Sequence, residues 1–415
     1  MQFGRPGPGR RAIAWIEVAA TACLVACLAA YRWWGRGLVE RLYDQHGISL
    51  FVVPDPIRSR ATAAECYEWG GLFLVGLVTA MVAIMIVHWA LRFDEAGRVR
   101  RALEPMVLAW GFPCLVAATL FVVYQQSCVE GPFYRIEDAM TFRVEPPFRH
   151  RVLFVLVARA IQCAIPSLSD RQAFFSSQLL AVVLAVFASQ AWCRCVATRP
   201  LAYFGLALTA MMLAPTFQYY TSYDFGIVFF YALCLTLLSS RMYVAHVAAA
   251  AVGTLNHELI VFMMILSGCI VRAQGARWSW TIGFVLIQLA LYGTIRSALF
   301  WWMPVEFAWQ PGKVWINIDR LVHFYYLART AVLLSWFAIA IALGTRSAAT
   351  ELRWGILLLP MLIGMTMFVG QINEARQFVA FIPVATALIL VRFEDLTAGA
   401  SQDSAGMRPR FPVER

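Results

Sequence analysis

Ionisable side chains occur in short groups between long apolar runs, and these groups contain the residue types needed for reactions at phosphate-linked substrates. A carboxylate can take the proton of an attacking hydroxyl, and the planar guanidinium of arginine can bind two phosphate oxygens at once. A histidine can exchange a proton near neutral pH. The groups are Glu137-Asp138, Arg149 with Arg151, Tyr223-Asp224, Asn256-His257-Glu258, Asp319-Arg320, and Glu374 with Arg376.

Most of these groups also have a simpler explanation. Glu137 and Asp138 could be solvated loop residues, and Arg149 and Arg151 could anchor the chain at a membrane interface. Asp224 could cap a helix. Glu374 and Arg376 could form an ion pair between helix ends. The group Asn256-His257-Glu258 is harder to explain in this way. It is flanked by apolar sequence on both sides, and ionisable groups at membrane depth are costly.

The composition indicates the elements that must position these groups. Hydrophobic residues make up 61% of the 415 residues and charged residues only 14%, whereas a soluble domain has about a quarter charged residues. Apolar runs recur along the chain at about the length that crosses a roughly 30 Å hydrocarbon core. The sequence therefore predicts an all-α, polytopic transmembrane helical bundle of about 11–13 membrane segments. It would form one membrane-embedded domain over residues 1–395, followed by a disordered cytoplasmic tail over 396–415.

Arginine placement predicts which side the loops occupy. The basic N-terminus and the short arginine-rich connections 92–101, 194–199, 272–277 and 346–353 indicate the cytoplasmic side. The long loops near 32–69, 125–172 and 300–324 then lie outside. With this orientation every polar group listed above maps to the outer face. The expected location is the inner (plasma) membrane of a bacterium, with multiple crossings and a cytoplasmic N-terminus.

The predicted spans are 12–31, 71–91, 106–124, 173–192, 201–219, 225–239, 244–254, 259–271, 278–299, 325–344, 354–370 and 378–391.

Two predicted segments are unusual. The pair 244–254 and 259–271 is short, and it suggests a broken-helix hairpin whose polar tip at Asn256 lies inside the protein. The apolar segment Arg151–Pro166 is also short, and we expect it to lie in the outer interface. The late outer loop is rich in tryptophan, which predicts either an interfacial aromatic belt or stacking on sugar rings. These residues are Trp301, Trp302, Trp309 and Trp315.

Other classes of protein are disfavoured by the sequence. The net charge is +10, and 33 of the 34 basic residues are arginine, but no basic run typical of nucleic-acid binding occurs. There is no phosphate-binding glycine loop and no H-E-x-x-H motif, and the ten cysteines have no metal spacing. Cys66 and Cys128 lie in predicted outer loops, where a disulfide between them is one option.

From Glu104 to Asp395 the chain resembles bacterial polytopic proteins related to the GT-C glycosyltransferases. After an acid-bearing loop, the motifs that carry this resemblance are Pro146-Pro147-Phe148-Arg149-His150-Arg151, Tyr223-Asp224-Phe225, Leu255-Asn256-His257-Glu258 and Glu374-Ala375-Arg376-Gln377-Phe378. The resemblance implies a GT-C-like region over 104–395, preceded by additional helices over 1–103. It also implies a polyprenyl-phosphate sugar donor and a catalytic base in the acidic loop, at Asp138 or Glu137.

The sequence thus predicts a membrane glycosyltransferase-like protein that uses a polyprenyl-linked sugar at the outer face. The substrate- or phosphate-binding candidates are Arg149, Arg151, Tyr223, Asp224, Asn256, His257, Glu258, Asp319, Arg320, Glu374 and Arg376. The expected partners are a lipid-linked sugar donor and membrane lipids, without nucleic acid; a divalent cation as cofactor is neither required nor excluded. Alternatives are a surface-polysaccharide polymerase or ligase, and a transporter or flippase of a lipid-linked or anionic substrate.

Overall fold

The computed structural model describes residues 109–128, 130, 134–144, 148–217, 219–304, 313–322, 328–372 and 374–402. The predicted spans 12–31 and 71–91, Cys66 with its possible disulfide to Cys128, and the end of the tail from residue 403 lie outside these residues. Within the described residues the chain is helical and has no β-strand. The prediction of an all-α helical bundle is confirmed for this part of the chain.

The helices follow one another with short connections. Four 3-10 segments lie between the α-helices: Phe148–His150, Ala214–Thr216, Gly355–Leu357 and Ala375–Phe381. The α-helices are α1 Phe112–Ser127, α2 Ile136–Met140, α3 Leu153–Ala164, α4 Asp170–Val196, α5 Arg199–Leu213, α6 Asp224–Ser239, α7 Tyr243–Asn256, α8 Ile260–Ala273, α9 Trp278–Trp302, α10 Lys313–Val322, α11 Ala328–Gly344, α12 Thr350–Trp354, α13 Leu358–Phe368 and α14 Ile382–Gln402.

Three of these segments are long and apolar enough to cross a membrane. They are Asp170–Val196, Trp278–Trp302 and the continuous helical stretch Thr350–Phe368. The other apolar helices are shorter. Those predicted spans that fall within the described residues coincide with helices, although their crossing of a membrane stays a prediction for the shorter ones. The helix α14 continues through Gln402, into the segment predicted to be a disordered tail.

Helix α4 lies at the centre of the bundle and contacts α1, α3, α5, α6 and α14. Its start is fixed by a capping box, in which the Ser169 hydroxyl accepts from the Gln172 backbone N–H and the Gln172 side chain accepts from the Ser169 N–H. Such a reciprocal cap satisfies two of the unpaired donors at a helix start. On α4, Ala173, Phe174 and Ala181 are fully buried. The two small alanines allow neighbouring helices to pack closely against α4.

The bundle has two distinct ends. We call the end at which α4 and α6 begin, and α9 and α13 finish, the cluster end, because buried polar side chains gather there. The opposite end is the far end. At the far end, contacts join segments distant in sequence: Glu394 accepts from the Thr198 N–H at 3.0 Å, and Asp395 accepts from the Ser347 hydroxyl at 2.9 Å. All of the helix-connecting turns that carry the predicted site residues lie at the cluster end.

The helices α7 and α8 form an antiparallel hairpin with a buried tip, as predicted. At the tip, the Asn256 Nδ2 donates to the Tyr223 carbonyl at 3.1 Å, beside the start of α6. At the other end, the Gln274 side chain donates to the Leu238 carbonyl at 3.0 Å, beside the end of α6. Both helices therefore run alongside α6, and each has 14 residues, as short as the sequence had predicted.

The helix α3 packs against α4 and α7. It begins next to Arg151, and its last turn contacts the start of α4, where Gln162 donates to the Asp170 carboxylate at 2.7 Å. The position of α3 relative to a membrane stays a prediction. The helix α10, which the sequence had placed in a loop, lies at the cluster end and contacts α13.

A buried polar network connects four helices between the two ends. The His246 ring on α7 contacts the Gln288 side chain of α9 at 3.0 Å, and Gln288 Nε2 donates to the Ser267 hydroxyl on α8 at 3.0 Å. The other ring nitrogen of His246 lies 3.3 Å from the Cys234 carbonyl of α6. Because polar groups among apolar helices need partners, this network fixes the relative rotation of the helices.

The close approach of α11 to α14 gives a test of the packing. A Cβ on Gly344 would overlap the backbone carbonyl of Leu388, which cannot move away without shifting a helix. We expect Gly344→Ala to destabilise the protein by about 1–3 kcal/mol, the usual cost of overpacking. The measurement is thermal unfolding of the detergent-solubilised protein. Gly364→Ala on α13, where a Cβ would meet no atom within 4 Å, is the matched control and should not lower stability.

Candidate functional site

Four separate turns bring buried polar side chains together at the cluster end. We call this group the Tyr223 cluster. It is built from the residue before α3, the residues that begin α6, the tip between α7 and α8, and the turn before α14. Its members are Arg151, Tyr223, Asp224, Asn256, His257, Glu258, Glu374 and Arg376.

The first pair in the cluster is Arg151 with Glu258. The Arg151 Nε donates to Glu258 Oε2 at 3.1 Å, and its Nη2 binds the other carboxylate oxygen. The Arg151 side chain is only 7% exposed. Burial acts to raise the pKa of Glu258, but the Arg151 guanidinium outweighs it and holds that pKa well below its usual range. The pair is therefore ionised, with the planar fork of arginine matched to the carboxylate.

Tyr223 lies between the two arginines. The Arg151 guanidinium stacks over its ring, with Cζ 4.2 Å from the centroid, and Arg376 Nη1 donates to its hydroxyl at 3.2 Å. The ring also contacts Phe148 and His257. Burial raises the pKa of Tyr223 to about 12, although Arg376 and Arg151 oppose this shift. The phenol is therefore neutral at neutral pH, and it connects two cations through its face and its oxygen.

The second pair is Arg376 with Glu374. Both Nε and Nη2 of Arg376 donate to Glu374 Oε2 at 3.2 Å, and Gln377 donates to the same oxygen at 3.0 Å. Burial acts to raise the pKa of Glu374, but Arg376 and the Gln377 hydrogen bond lower it overall. The expected ion pair between these residues is thus present, and Arg376 also extends to Tyr223 rather than only linking helix ends.

The hairpin tip is held by its own side chains. Burial, together with the charge of Arg151, lowers the pKa of His257 well below its ordinary value. Its Nδ1 accepts from the Leu259 N–H at 3.1 Å, which requires the neutral ring with its proton on Nε2. The His257 Nδ1 lies 3.6 Å from Glu258, but this is a contact of a neutral ring and no ion pair.

Asp224 has one carboxylate oxygen without a partner. Its Oδ2 accepts from the Thr221 hydroxyl at 2.6 Å, while no described residue donates to its buried Oδ1. Capping does not explain this residue, because Tyr223 occupies the N-cap position of α6 and Asp224 the first turn. An unpaired buried carboxylate oxygen is costly, so Asp224 is a candidate for contact with a ligand.

The other predicted site residues lie at the cluster end but outside the Tyr223 cluster. Glu137 is exposed and Asp138 half-buried on the short helix α2, which packs against α3 and α4. Arg149 is half-buried and donates to the Val144 carbonyl at 3.1 Å. Asp319 and Arg320 lie on α10, where Arg320 donates to Gln371 at 2.6 Å.

Arg296 is a charged residue near the site that the sequence analysis missed. It lies in the last third of α9, is 9% exposed, and donates to the His150 carbonyl at 3.3 Å. The His150 ring in turn contacts the Met303 carbonyl at 3.0 Å. A lone arginine inside an apolar 25-residue helix is a signal that could have identified it, because such residues usually face the interior of a bundle.

The described residues contain no group of three or more histidine, cysteine, aspartate or glutamate side chains that could hold a metal ion. Glu258 and Glu374 are each bound to an arginine. A role for a divalent cation stays a prediction.

Comparison with known proteins found no similar family model, curated protein or solved structure. The GT-C relationship inferred from the short motifs therefore stays a prediction.

The neutral state of His257 predicts a pH dependence of stability. The unfolded chain takes up a proton as pH falls below the ordinary histidine pKa of 6.5, whereas the native ring stays neutral, so stability decreases in this range. We expect His257→Asn to flatten the fall of the unfolding temperature between about pH 6.5 and 5, since asparagine Oδ1 can still accept from Leu259. Thermal unfolding across this range is the measurement. An equally steep fall in the variant would contradict a neutral native His257.

Proposed function

We propose that this protein is a membrane glycosyltransferase-like protein that transfers a sugar from a polyprenyl-linked donor, with the Tyr223 cluster as its anion-binding site. In this proposal the cluster end faces the outside of the bacterial inner membrane, the chain crosses the membrane many times, and the N-terminus is cytoplasmic. One observation carries it. Two arginines more than nine-tenths buried, Arg151 and Arg376, lie on either side of one tyrosine at one end of an apolar helical bundle.

The arrangement of donors suits a phosphate-bearing lipid. Both arginines are held in place by glutamates, so their orientation is fixed before a ligand binds. Arg151 binds Glu258 through Nε and Nη2, and its Nη1 donates to no described residue. A fixed guanidinium with a remaining donor can bind a phosphate oxygen and stabilise the charge that develops on a departing phosphate.

The cluster also offers acceptors, as a sugar with several hydroxyl groups requires. Asp224 Oδ1 and Asn256 Oδ1 are buried and have no donor among the described residues. A sugar hydroxyl that donated to Asp224 would remove an unfavourable unpaired oxygen. A ligand with both anionic and hydroxyl groups, such as a sugar phosphate, fits this mixture better than a simple anion does.

The proposed general base is Asp138, or its neighbour Glu137, on α2. The family resemblance points to these residues, and α2 lies at the cluster end. Asp138 is half-buried, and none of the described arginines pairs with its carboxylate as Arg151 and Arg376 pair with Glu258 and Glu374. It can therefore accept the proton of an acceptor hydroxyl.

The alternatives differ in what they do with the same ligand. A surface-polysaccharide polymerase or ligase would use a lipid diphosphate donor and the same arginines. A transporter or flippase would move the lipid-linked substrate without breaking a bond. The two experiments below separate binding from bond cleavage.

The first experiment measures binding of undecaprenyl phosphate. We expect Arg151→Lys to weaken binding by about ten- to a hundredfold, because lysine keeps the charge beside Glu258 but loses the bidentate fork. Native mass spectrometry of the protein titrated with undecaprenyl phosphate gives the affinity. Arg159→Lys is the matched control, since Arg159 pairs with Asp170 at the same end at 3.7 Å, outside the cluster. Unchanged affinity in a folded Arg151→Lys variant would contradict phosphate binding by the cluster.

The second experiment measures bond cleavage in proteoliposomes that contain undecaprenyl-phosphate-linked hexose and an extract of candidate acceptors. The readout is the release of undecaprenyl phosphate. We expect Asp138→Asn to reduce release by about 10²- to 10⁴-fold, the usual contribution of a general base, while binding of undecaprenyl phosphate stays unchanged. Glu137→Gln is measured in parallel: a much smaller loss assigns the base to Asp138, and the reverse order assigns it to Glu137. Translocation of the labelled lipid without release by the wild type would instead identify a transporter.

A further inference from the structure

The helix α10 has its polarity reversed relative to a helix on a water-soluble protein. Its inward face carries Lys313, Asn317 and Arg320, spaced four and three residues apart. Its outward face carries Trp315, Ile318 and Val322, and Trp315 and Val322 are 73% and 74% exposed. A helix that borders water shows the opposite pattern, with apolar residues inward.

The inward face is fixed to the turn that leads to Glu374. Asn317 Nδ2 lies 3.0 Å from the Thr366 and Met367 carbonyls and 3.2 Å from the Gly370 carbonyl, where α13 ends. The Asn317 Oδ1 accepts from the Ile372 N–H at 2.9 Å. One buried asparagine thus binds the carbonyls at the end of a helix, where intrahelical partners run out. The orientation of α10 is therefore determined, and its apolar face must point away from the bundle.

The helix α10 contacts the end of a segment that is long and apolar enough to span a membrane. The residues at the end of Thr350–Phe368 next to α10 are also exposed and apolar, with Phe368 at 64% and Val369 at 59%. A continuous apolar surface formed by a membrane-length helix and a helix lying at its end matches the boundary between acyl chains and headgroups. Asp319 is also exposed on α10, as expected at a depth where a carboxylate can still reach headgroups and water.

We propose that α10 is seated in the membrane leaflet at the cluster end, with Trp315, Ile318 and Val322 among the acyl chains and the Lys313–Arg320 face toward the protein. The lipid-seated helix then fixes the depth of the turn that carries Glu374 and Arg376. This places the Tyr223 cluster level with lipid headgroups, within reach of a phosphate borne by a lipid. The location of α10 does not depend on the reaction that the protein catalyses.

The test is photo-crosslinking in nanodiscs of phosphatidylethanolamine and phosphatidylglycerol. Trp315→benzoylphenylalanine and, separately, Val322→benzoylphenylalanine place a reactive ketone on the apolar face. Leu286 on α9, 59% exposed on a membrane-length helix, is the reference position for lipid. Arg346, exposed in the connection between α11 and α12 at the far end, is the reference position for water.

We expect intact-mass spectra to show a single lipid adduct at Trp315 and at Val322, with yields similar to that at Leu286, and none at Arg346. Adducts to a second copy of the chain, or to a peptide from residues 1–108 of the same chain, would overturn the proposal because protein would then cover this face. An absence of adducts at both positions, with Leu286 labelled, would overturn it as well. Each variant is first checked for a monodisperse elution profile, and the second position guards against local disturbance at the first. Loss of undecaprenyl phosphate binding or transfer would leave this result unchanged.

Discussion

The arrangement of the cluster end depends on the need to neutralise buried arginines. Arg151 and Arg376 are both withdrawn from water, and an unpaired charge in such a position costs several kcal/mol. Each is paired with a glutamate, and the two pairs are joined through Tyr223. The Arg151–Glu258 pair connects residues 107 apart in sequence, and the Arg376–Tyr223 hydrogen bond connects residues 153 apart. The start of α3, the start of α6, the hairpin tip and the turn before α14 are thereby held in one relative position.

The two buried ion pairs are not, by themselves, evidence that the fold is stabilised. Replacing a buried ion pair by apolar residues is often neutral or stabilising, and this bundle has ample apolar surface with which to do so. The unsatisfied Oδ1 atoms of Asp224 and Asn256 beside the pairs add further cost. A fold that only needed to connect its helices could use the type of contact seen at the far end, where Glu394 and Asp395 bind hydroxyl and amide groups. The concentration of costly groups at one end is better explained by binding of a polar ligand there.

The sequence predicted the helical class, the buried hairpin tip and the grouping of polar turns at one end, because apolar run length and arginine placement encode them directly. Within the site, it identified Arg151, His257 and Arg376 as residue types suited to the chemistry and gave an ion pair with Glu374 as one explanation of Arg376. It could not predict that Arg151 would bind Glu258 or that Arg376 would also bind Tyr223. Those pairings depend on how turns far apart in sequence meet. The role of Asp224 was harder still, since an aspartate beside a helix start suggests capping, and only the structure shows that Tyr223 occupies the cap. Arg296 was overlooked because a single charge barely changes the hydropathy of a 25-residue helix.

The helix α10 shows why a prediction based on apolar runs fails at the membrane surface. Its ten residues mix lysine, asparagine, aspartate and arginine with tryptophan, isoleucine and valine, so no apolar run marks it, and a loop was the natural prediction. Only when its residues are placed around a helix do the polar and apolar groups separate into two faces. The inward face is the polar one because Asn317 binds the carbonyls at the end of α13 and in the turn before Glu374. The same polar requirement that gathers the arginines around Tyr223 thus also determines which way α10 faces, and it leaves the apolar side of that helix for the lipid.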